Sequence, residues 1–506
     1  MIIDGEDIVI PRGSWDAEVK AIGARWSAAR GAWTLPATRM NAQLANDLSL
    51  PFEPVSVDLR APGDVPDERL YPYQRDAASR LATADHGLLL CLSPGLGKTA
   101  VSIVAADHAV PNDQVVVVAP SSLLHTWERE IRKWATVPGD IYLMTGKLDA
   151  AAATNARWII ASWDKAVREK DTWGRGWPLW ILDESVLAKS RSSKRFKSLA
   201  KLRVGIERVW LLSGSPTTRY ADDLWAQLHI IWPRAFPSYW RFAERYCVVS
   251  ETPWARVVTG NRSRVNAADE NSDLILVVNQ EDVLDLPEYL FEPAIMVNLT
   301  MRQAREYKRM RDDFIAELES GSEIVADNEA AKLLRLQQIA SFFDGESGKR
   351  DALLEVIGSY EPPYLIWTHW RDTARDLGTA LTGIGIDARV VTGETATKDR
   401  DTLIEGYKAG DFPALILSLG VGKFGHTLTN TKTVFSFDRN FNADDFFQSM
   451  HRVRRIGLTH RPVVVPLVAA GTVDELTVGD NLEAKLAGIA RLTRADLATL
   501  LKGLGR

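Results

Sequence analysis

Short apolar runs alternate with helical stretches over most of the chain. Residues 88–92 (Leu-Leu-Leu-Cys-Leu) are apolar without interruption, which predicts a strand buried on both faces. Ser93-Pro94-Gly95-Leu96-Gly97 is too turn-rich to continue it, and Lys98-Thr99 leads into an Ala/Val/Ile stretch that predicts a helix. Residues 115–119 predict another parallel-sheet strand. Ser121-Ser122 then predict the cap of a helix with Leu124, Trp127, Ile131 and Trp134 on one face. Residues 158–162, 180–186 and 209–216 predict further strands, each ending in small polar or acidic residues. Strands alternating with helices imply right-handed βαβ units in a parallel sheet, with ligands at the carboxyl ends of the strands.

The pattern starts again near Leu353. Residues 364–368, 388–393, 414–418 and 433–438 predict four more strands. Between the two runs, residues 251–290 are irregular and polar, and 301–336 are strongly helical and charged. The expected organisation is therefore a small module at 1–60, a first α/β lobe at 65–250, a helical and irregular bridge at 251–345, and a second α/β lobe with C-terminal helices at 346–506. In the first module, residues 8–10 predict a strand and 16–22 a short helix. Trp26, preceded by Arg25, and Trp33 flank a turn bearing Arg30. These tryptophans either stack on bases or fill the core of a tiny domain.

A chain of 506 residues is too long for one core. Its 46% hydrophobic and 25% charged residues are ordinary for a globular protein. No run of about 18 uncharged apolar residues occurs, so no membrane span is expected. The acidic start, Met1 to Asp7, lacks the basic opening of a signal peptide. Two cysteines, Cys91 and Cys247, give neither a disulfide framework nor metal-ligand spacing and suit a reducing compartment. The eight histidines are scattered without ligand spacing, so neither a zinc site nor a nuclease is expected. A net charge of −5 argues against nucleic-acid binding by bulk charge, though not against a basic cleft.

The chemistry centres on residues 94–99. Strand, glycine-rich loop, Lys98-Thr99 and helix form the arrangement that cradles phosphates on backbone N–H groups and a helix N-terminus. Lys98 would reach the β- and γ-phosphates, and Thr99 would hold Mg²⁺. Asp183 and Glu184 close a predicted strand; Asp183 suits the Mg²⁺ side and Glu184 the attacking water. Gln74, just upstream, suits the adenine edge or a helix start. The second lobe has no such loop but carries Arg452 and Arg455, expected about one helical turn apart on a shared face and suited to a triphosphate.

Taken together, these motifs resemble, in order over roughly residues 65–480, those of Swi/Snf-type superfamily-2 helicases. Tyr73-Gln74 is similar to the adenine-side motif, and Pro94-Gly95-Leu96-Gly97-Lys98-Thr99 to motif I. Pro120-Ser121-Ser122 with Trp127 resembles motif Ia, and Ser162-Trp163 motif Ib. Asp183-Glu184 resembles motif II and Ser213-Gly214-Ser215-Pro216 the coupling motif III. Thr392-Gly393 sits at motif IVa, and Ser418 with Gly425 to Thr429 resembles motif V. Gln448, Arg452, Arg455 and Gly457 resemble motif VI. Asp183-Glu184-Ser185, the stretch from Leu211 to Cys247, and Gly23-Ala24-Arg25-Trp26 with Trp33 resemble the annealing-helicase branch, whose small N-terminal modules are taken to read DNA structure.

The resemblance implies two RecA-like lobes with ATP and Mg²⁺ between them, and a DNA-dependent ATPase that translocates on duplex, forked or junction DNA. Lys98, Asp183, Glu184, Arg452 and Arg455 would be catalytic. Tyr73, Gln74, residues 94–99 and Gln448 would bind ATP. DNA would be held independently of sequence by Ser121, Ser122, Ser162, Trp163, Thr392, Gly393, Ser418, Gly425 and Thr429, together with Arg25, Trp26 and Trp33. A monomer is expected, in a bacterial or phage cytoplasm, or in the nucleus of a eukaryote. A strand-separating helicase and a DNA-binding scaffold with a decayed ATPase are the alternatives. Leu92 and Ser93 replace the family's acidic residues in motif I, and Val186 stands where motif II usually ends in His. Val277-Val278 occupies the place of a common Arg-Arg, and Leu458 that of a common Gln.

Overall fold

The computed structural model describes residues 1–58, 65, 67–147, 149–169, 173, 176–214, 217, 220–251, 255–263, 266–320, 326–418, 427–438 and 449–477. The chain divides into two compact units, Met1–Val283 and Leu284–Arg506.

The first unit opens with a four-stranded antiparallel sheet. Its strands are β1 (Ile2–Asp4), β2 (Asp7–Pro11), β3 (Arg25–Ser27) and β4 (Ala32–Pro36), in the order β1-β2-β4-β3. Period-two alternation turns Ile8 and Ile10 of β2 inward, onto Val19, Leu35, Ala42 and Ala45. Helices Asp16–Ala21 and Arg39–Asp47 close this small core. The second is started by Thr38, whose Oγ1 accepts from the Asn41 N–H at 3.1 Å.

The large sheet of this unit contains β5 (Leu89–Leu92), β6 (Val115–Ala119), β7 (Asp140–Leu143), β8 (Ala156–Ser162), β9 (Trp177–Asp183) and β10 (Ile206–Ser213). A hairpin of β11 (Cys247–Glu251) and β12 (Arg256–Asn261) stands apart from it, and β13 (Ile275–Val278) returns to pair with β5. The order is β13-β5-β10-β9-β6-β8-β7, and every pairing is parallel. Every residue of β5, β6 and β8 is buried, as helices on both faces require of a parallel sheet.

In the second unit, β14 (Leu290–Phe291), β15 (Ile295–Val297), β16 (Tyr364–Thr368), β17 (Ala388–Val391), β18 (Ala414–Ser418), β19 (Thr433–Ser436) and β20 (Val463–Ala469) form another parallel sheet. The order is β14-β20-β19-β16-β18-β17, with β15 also on β20. Both units are thus α/β, with parallel sheets flanked by helices.

Residues 251–345 do not form a separate bridge. β13 is an edge strand of the first sheet, while β14 and β15 belong to the second. Helices Met301–Ser320 and Ala326–Ser341 bury Tyr307, Leu336 and Ile339 against Ala469 and Val473 of their own unit. These strands are short and half-exposed at sheet edges, with Val277 46% and Phe291 56% accessible, so their apolar signal is weak. The expected C-terminal helices beyond residue 477 lie outside the described residues. Among the described residues, no helix is long and apolar enough to cross a membrane.

Candidate nucleotide site and nucleic-acid contacts

The loop after β5 depends on glycine. Gly95 and Gly97 have φ of +94° and +84°, where a side chain is strained. A Cβ on Gly97 would also stand 2.4 Å from Nε2 of Gln74. Leu96 is fully buried beneath the loop, and its carbonyl accepts from Gln74 Nε2 at 2.9 Å and from the Tyr73 hydroxyl at 3.3 Å. Gln74 Oε1 accepts from the Tyr71 N–H at 2.9 Å. Gln74 is therefore both a helix-start residue and a brace for the loop. Burial, with the neighbouring Tyr71, pushes the Tyr73 hydroxyl up to about 12. Gly97 caps helix Lys98–Ala109, and Lys98 Nζ donates to the Leu92 carbonyl at 2.9 Å. Pro94 and Thr99 are half-buried at the loop's two ends. Leu92 ends β5 in full burial, while Ser93 docks the edge strand, its N–H donating to the Val278 carbonyl at 3.1 Å.

Motif II lies two strands away. In register, Leu212 of β10 faces Asp183 of β9, and Ser213 faces Cys91 of β5. Gly214, next after Ser213, packs on the loop: a Cβ there would lie 3.1 Å from Pro94 Cγ and 3.6 Å from Lys98 Nζ. Ser215 and Pro216 lie outside the described residues. Asp183 is buried. Desolvation, and next the charge of Glu184, push its carboxyl up to about 6, against the pull of Lys98. Oδ2 accepts from the Trp127 indole at 2.9 Å, and Oδ1 from the Glu184 N–H at 3.0 Å. The Asp183 carbonyl accepts from the Trp163 indole at 2.8 Å. Glu184 adopts φ +52°, a strained conformation for a residue with a side chain. Ser185, buried beside it, donates to Oε1 of buried Gln227 at 2.7 Å. The Thr99 hydroxyl and the Asp183 carboxylate each offer oxygen donors of the type a hard cation takes when most of its ligands are water and phosphate oxygens. Among the described residues, no group of three acidic, histidine or cysteine side chains forms a fuller metal site.

In the second unit, residues 451–457 run as turns rather than helix. Arg452 N–H donates to the Ser449 carbonyl and Arg455 N–H to that of Val453, so the two arginines do not share a helical face. Gly457, with φ +98°, lies within this turn. Arg455 is half-buried. Its Nη1 donates to Thr427 Oγ1 at 3.0 Å and its Nε to the His451 carbonyl at 2.9 Å, which joins motifs V and VI. Burial, and next the Arg452 charge, hold its guanidinium below its ordinary value. Gln448 and Gly425 lie outside the described residues.

The same sheet ends in a second charged cluster. Lys349, 1% exposed, pairs with Asp438 at 2.9 Å and Asp474 at 2.7 Å. Asp438 Oδ2 also accepts from Ser341 Oγ at 2.9 Å and Thr368 Oγ1 at 2.5 Å. No motif pointed to this cluster. The isolated Lys, Asp and Asp, far apart in sequence, carry no local signal.

The expected DNA contacts divide in two. Ser121, Ser122 and Gly393 are exposed, and Thr429 is half-buried. Ser121 and Ser122 begin the turn before helix Leu124–Trp134 and cap neither element, contrary to the expectation. Ser162 and Trp163 are buried. Ser162 Oγ accepts from the Lys165 N–H as the cap of helix Trp163–Arg168, and the Trp163 indole donates inward to the Asp183 carbonyl. Thr392 and Ser418 are likewise buried at the ends of β17 and β18. In the N-terminal module, Trp33 is half-buried, packs on the small core and donates its indole N–H to Asp16 Oδ1 at 2.9 Å. Trp26 is 43% exposed, with Arg12 stacked over it at 5.8 Å, and Arg25 is exposed beside it. Arg241 fastens this module down. Its Nη1 donates to the Ile22 carbonyl at 2.6 Å and fills the space where a Cβ on Gly23 would be, while Arg234 pairs with Asp7.

The SNF2-related domain family matches residues 38–341, and the helicase conserved C-terminal domain matches 348–457. Among curated proteins, the chain is similar to the SWI/SNF-related matrix-associated actin-dependent regulator of chromatin subfamily A-like protein 1 of Xenopus tropicalis. Identity is 24% over 441 residues, covering 85% of this chain and 46% of that protein. It is 22% identical over 441 residues to the DNA annealing helicase and endonuclease ZRANB3 of Bos taurus, covering 83% and 40%. The chain thus spans less than half the length of these relatives. The helicase domain of Pyrococcus furiosus Hef matches in fold, with a TM-score of 0.51 at 14% identity over 80% of this chain and 97% of that one.

Proposed function

For a chain that belongs to the SNF2-related family, we propose an ATP-dependent DNA translocase, hydrolysing ATP to move on duplex or branched DNA in annealing or fork remodelling. One observation carries this reading: the glycine loop with Lys98, Gly214 against that loop, and the Asp183-Glu184 pair stand at the carboxyl ends of three adjacent parallel strands. The N-terminus of helix Lys98–Ala109 receives the phosphates, and Lys98 adds a point charge at the β- and γ-positions. Mg²⁺, held by the Thr99 hydroxyl and Asp183, would neutralise charge across the phosphates. Glu184 orients the attacking water and accepts its proton. Arg452 and Arg455 answer the charge that builds on the transferred phosphoryl group. Tyr73 and Gln74 belong to the adenine side, Gln448 contributes to ATP binding with the arginines, and residues 213–216 couple hydrolysis to movement.

DNA is gripped through phosphates by Ser121, Ser122, Gly393, Gly425 and Thr429, with Trp26 and Arg25 as an accessory contact. Such contacts carry no base information, so binding by a monomer should be salt-sensitive and indifferent to sequence. The test is ATP hydrolysis without DNA and with single strands, duplex and a fork, using Glu184→Gln as the blank. Stimulation by duplex or fork above single strands is expected. Displacement of a strand from a tailed duplex would favour a strand-separating helicase. Turnover no higher than the blank on every DNA would leave a binding scaffold.

A further inference from the structure

Three buried tryptophans of the first sheet, Trp158, Trp180 and Trp210, leave their indole N–H groups without a partner. Two others, Trp127 and Trp163, both spend theirs on Asp183. The two bonds differ in kind. Trp163 holds the main-chain carbonyl, which fixes where β9 ends. Trp127 holds Oδ2 of the carboxylate itself, 2.9 Å away, and both side chains are buried. Trp127 sits on helix Leu124–Trp134, whose approach carries the exposed Ser121 and Ser122. An indole is a rigid ring with a single donor, and here it is buried, so a shift of that helix has one polar group through which to reach the carboxylate.

We infer that Trp127 is a positioning residue that aims the Asp183 carboxylate and relays DNA contact at Ser121-Ser122 to the Mg²⁺ side of the nucleotide site. This rests on the function proposed above, in which Asp183 holds Mg²⁺ and the Ser121-Ser122 turn meets DNA. Groups that orient a ligand of a metal change its affinity by roughly 10- to 100-fold when removed.

The test reads binding rather than turnover. A fluorescent ADP analogue is titrated with Mg²⁺, with and without duplex DNA, on the full chain and on Trp127→Phe, Trp163→Phe and Asp183→Asn. Trp127→Phe should raise the Mg²⁺ needed for half-maximal nucleotide binding about tenfold and remove the effect of DNA on that midpoint. Trp163→Phe loses an indole bond to the main-chain carbonyl of the same residue, not to its carboxylate, so it should lower thermal stability without moving the midpoint. If Trp127→Phe does not fold, a benzothiophene analogue of tryptophan at position 127 keeps the ring shape and removes only the N–H. A midpoint that moves in Asp183→Asn but equally little in both tryptophan variants overturns the role of Trp127. A midpoint unmoved in Asp183→Asn overturns the assignment of Mg²⁺ to Asp183 instead.

Discussion

Both large sheets are parallel and both end in a buried charged cluster, yet the clusters are opposites. In the second unit, Lys349 is enclosed by Asp438 and Asp474, and the hydroxyls of Ser341 and Thr368 complete the coordination of Asp438. In the first unit, Asp183 stands beside a like charge, Glu184, on a strained backbone, with Lys98 as its nearby cation. The first arrangement is one a protein adopts to stay as it is. The second leaves a carboxylate half-compensated, which is what a site has when it is shaped for a ligand that brings its own charge. One topology thus serves as a lock in one unit and as a socket in the other.

Breaking each cluster should give different losses. Glu184→Gln should lower ATP turnover roughly 100-fold or more, as loss of a general base does, while thermal unfolding stays close to that of the parent. An equal loss of stability would place Glu184 with the lock. Lys349→Met should do the reverse. It strands two buried carboxylates and should cost about 3–5 kcal/mol of stability in denaturant unfolding. Burial pulls Lys349 down, but Asp438 and Asp474 outweigh it and leave its ammonium above its ordinary 10.5. Its stabilising contribution should therefore be complete below that value and disappear only as pH rises through the raised one. Smaller again, Gly97→Ala should cost about 1–2 kcal/mol in backbone strain and displace the Gln74 amide, weakening nucleotide binding more than folding. The narrowest test, confined to one kinetic constant, concerns the arginines: Arg455→Ala should lower kcat with little effect on KM, since a group that answers developing charge acts mostly in the transition state.

Burial explains what could be read from sequence. Strands enclosed on both faces are apolar along most of their length, so residues 88–92, 115–119 and 158–162 are legible without a partner in view, whereas Arg157, buried in β8 by its pairing with Asp107, is not. The phosphate loop was legible because only glycine tolerates its dihedrals. Edge strands are not: β13 needs one apolar face and leaves Val277 in water, so residues 251–290 read as irregular. Ser162 and Trp163 are expected at DNA only through their resemblance to motif Ib; the first caps a helix and the second turns its indole inward. Arg452 and Arg455 were placed on a helix by their spacing, whereas the backbone turns at residue 451. The bond from Trp127 to Asp183 had no signal beyond a buried helix face, because 56 residues separate its partners.

The seat of Arg241 in the backbone notch at Gly23 has a mechanical meaning. A guanidinium inserted where no side chain fits, with a second arginine paired to Asp7, ties the small N-terminal sheet at two points to the lobe that carries the phosphate loop. Two anchors rather than one make Trp26 the tip of an outrigger on that lobe and not the end of a tether.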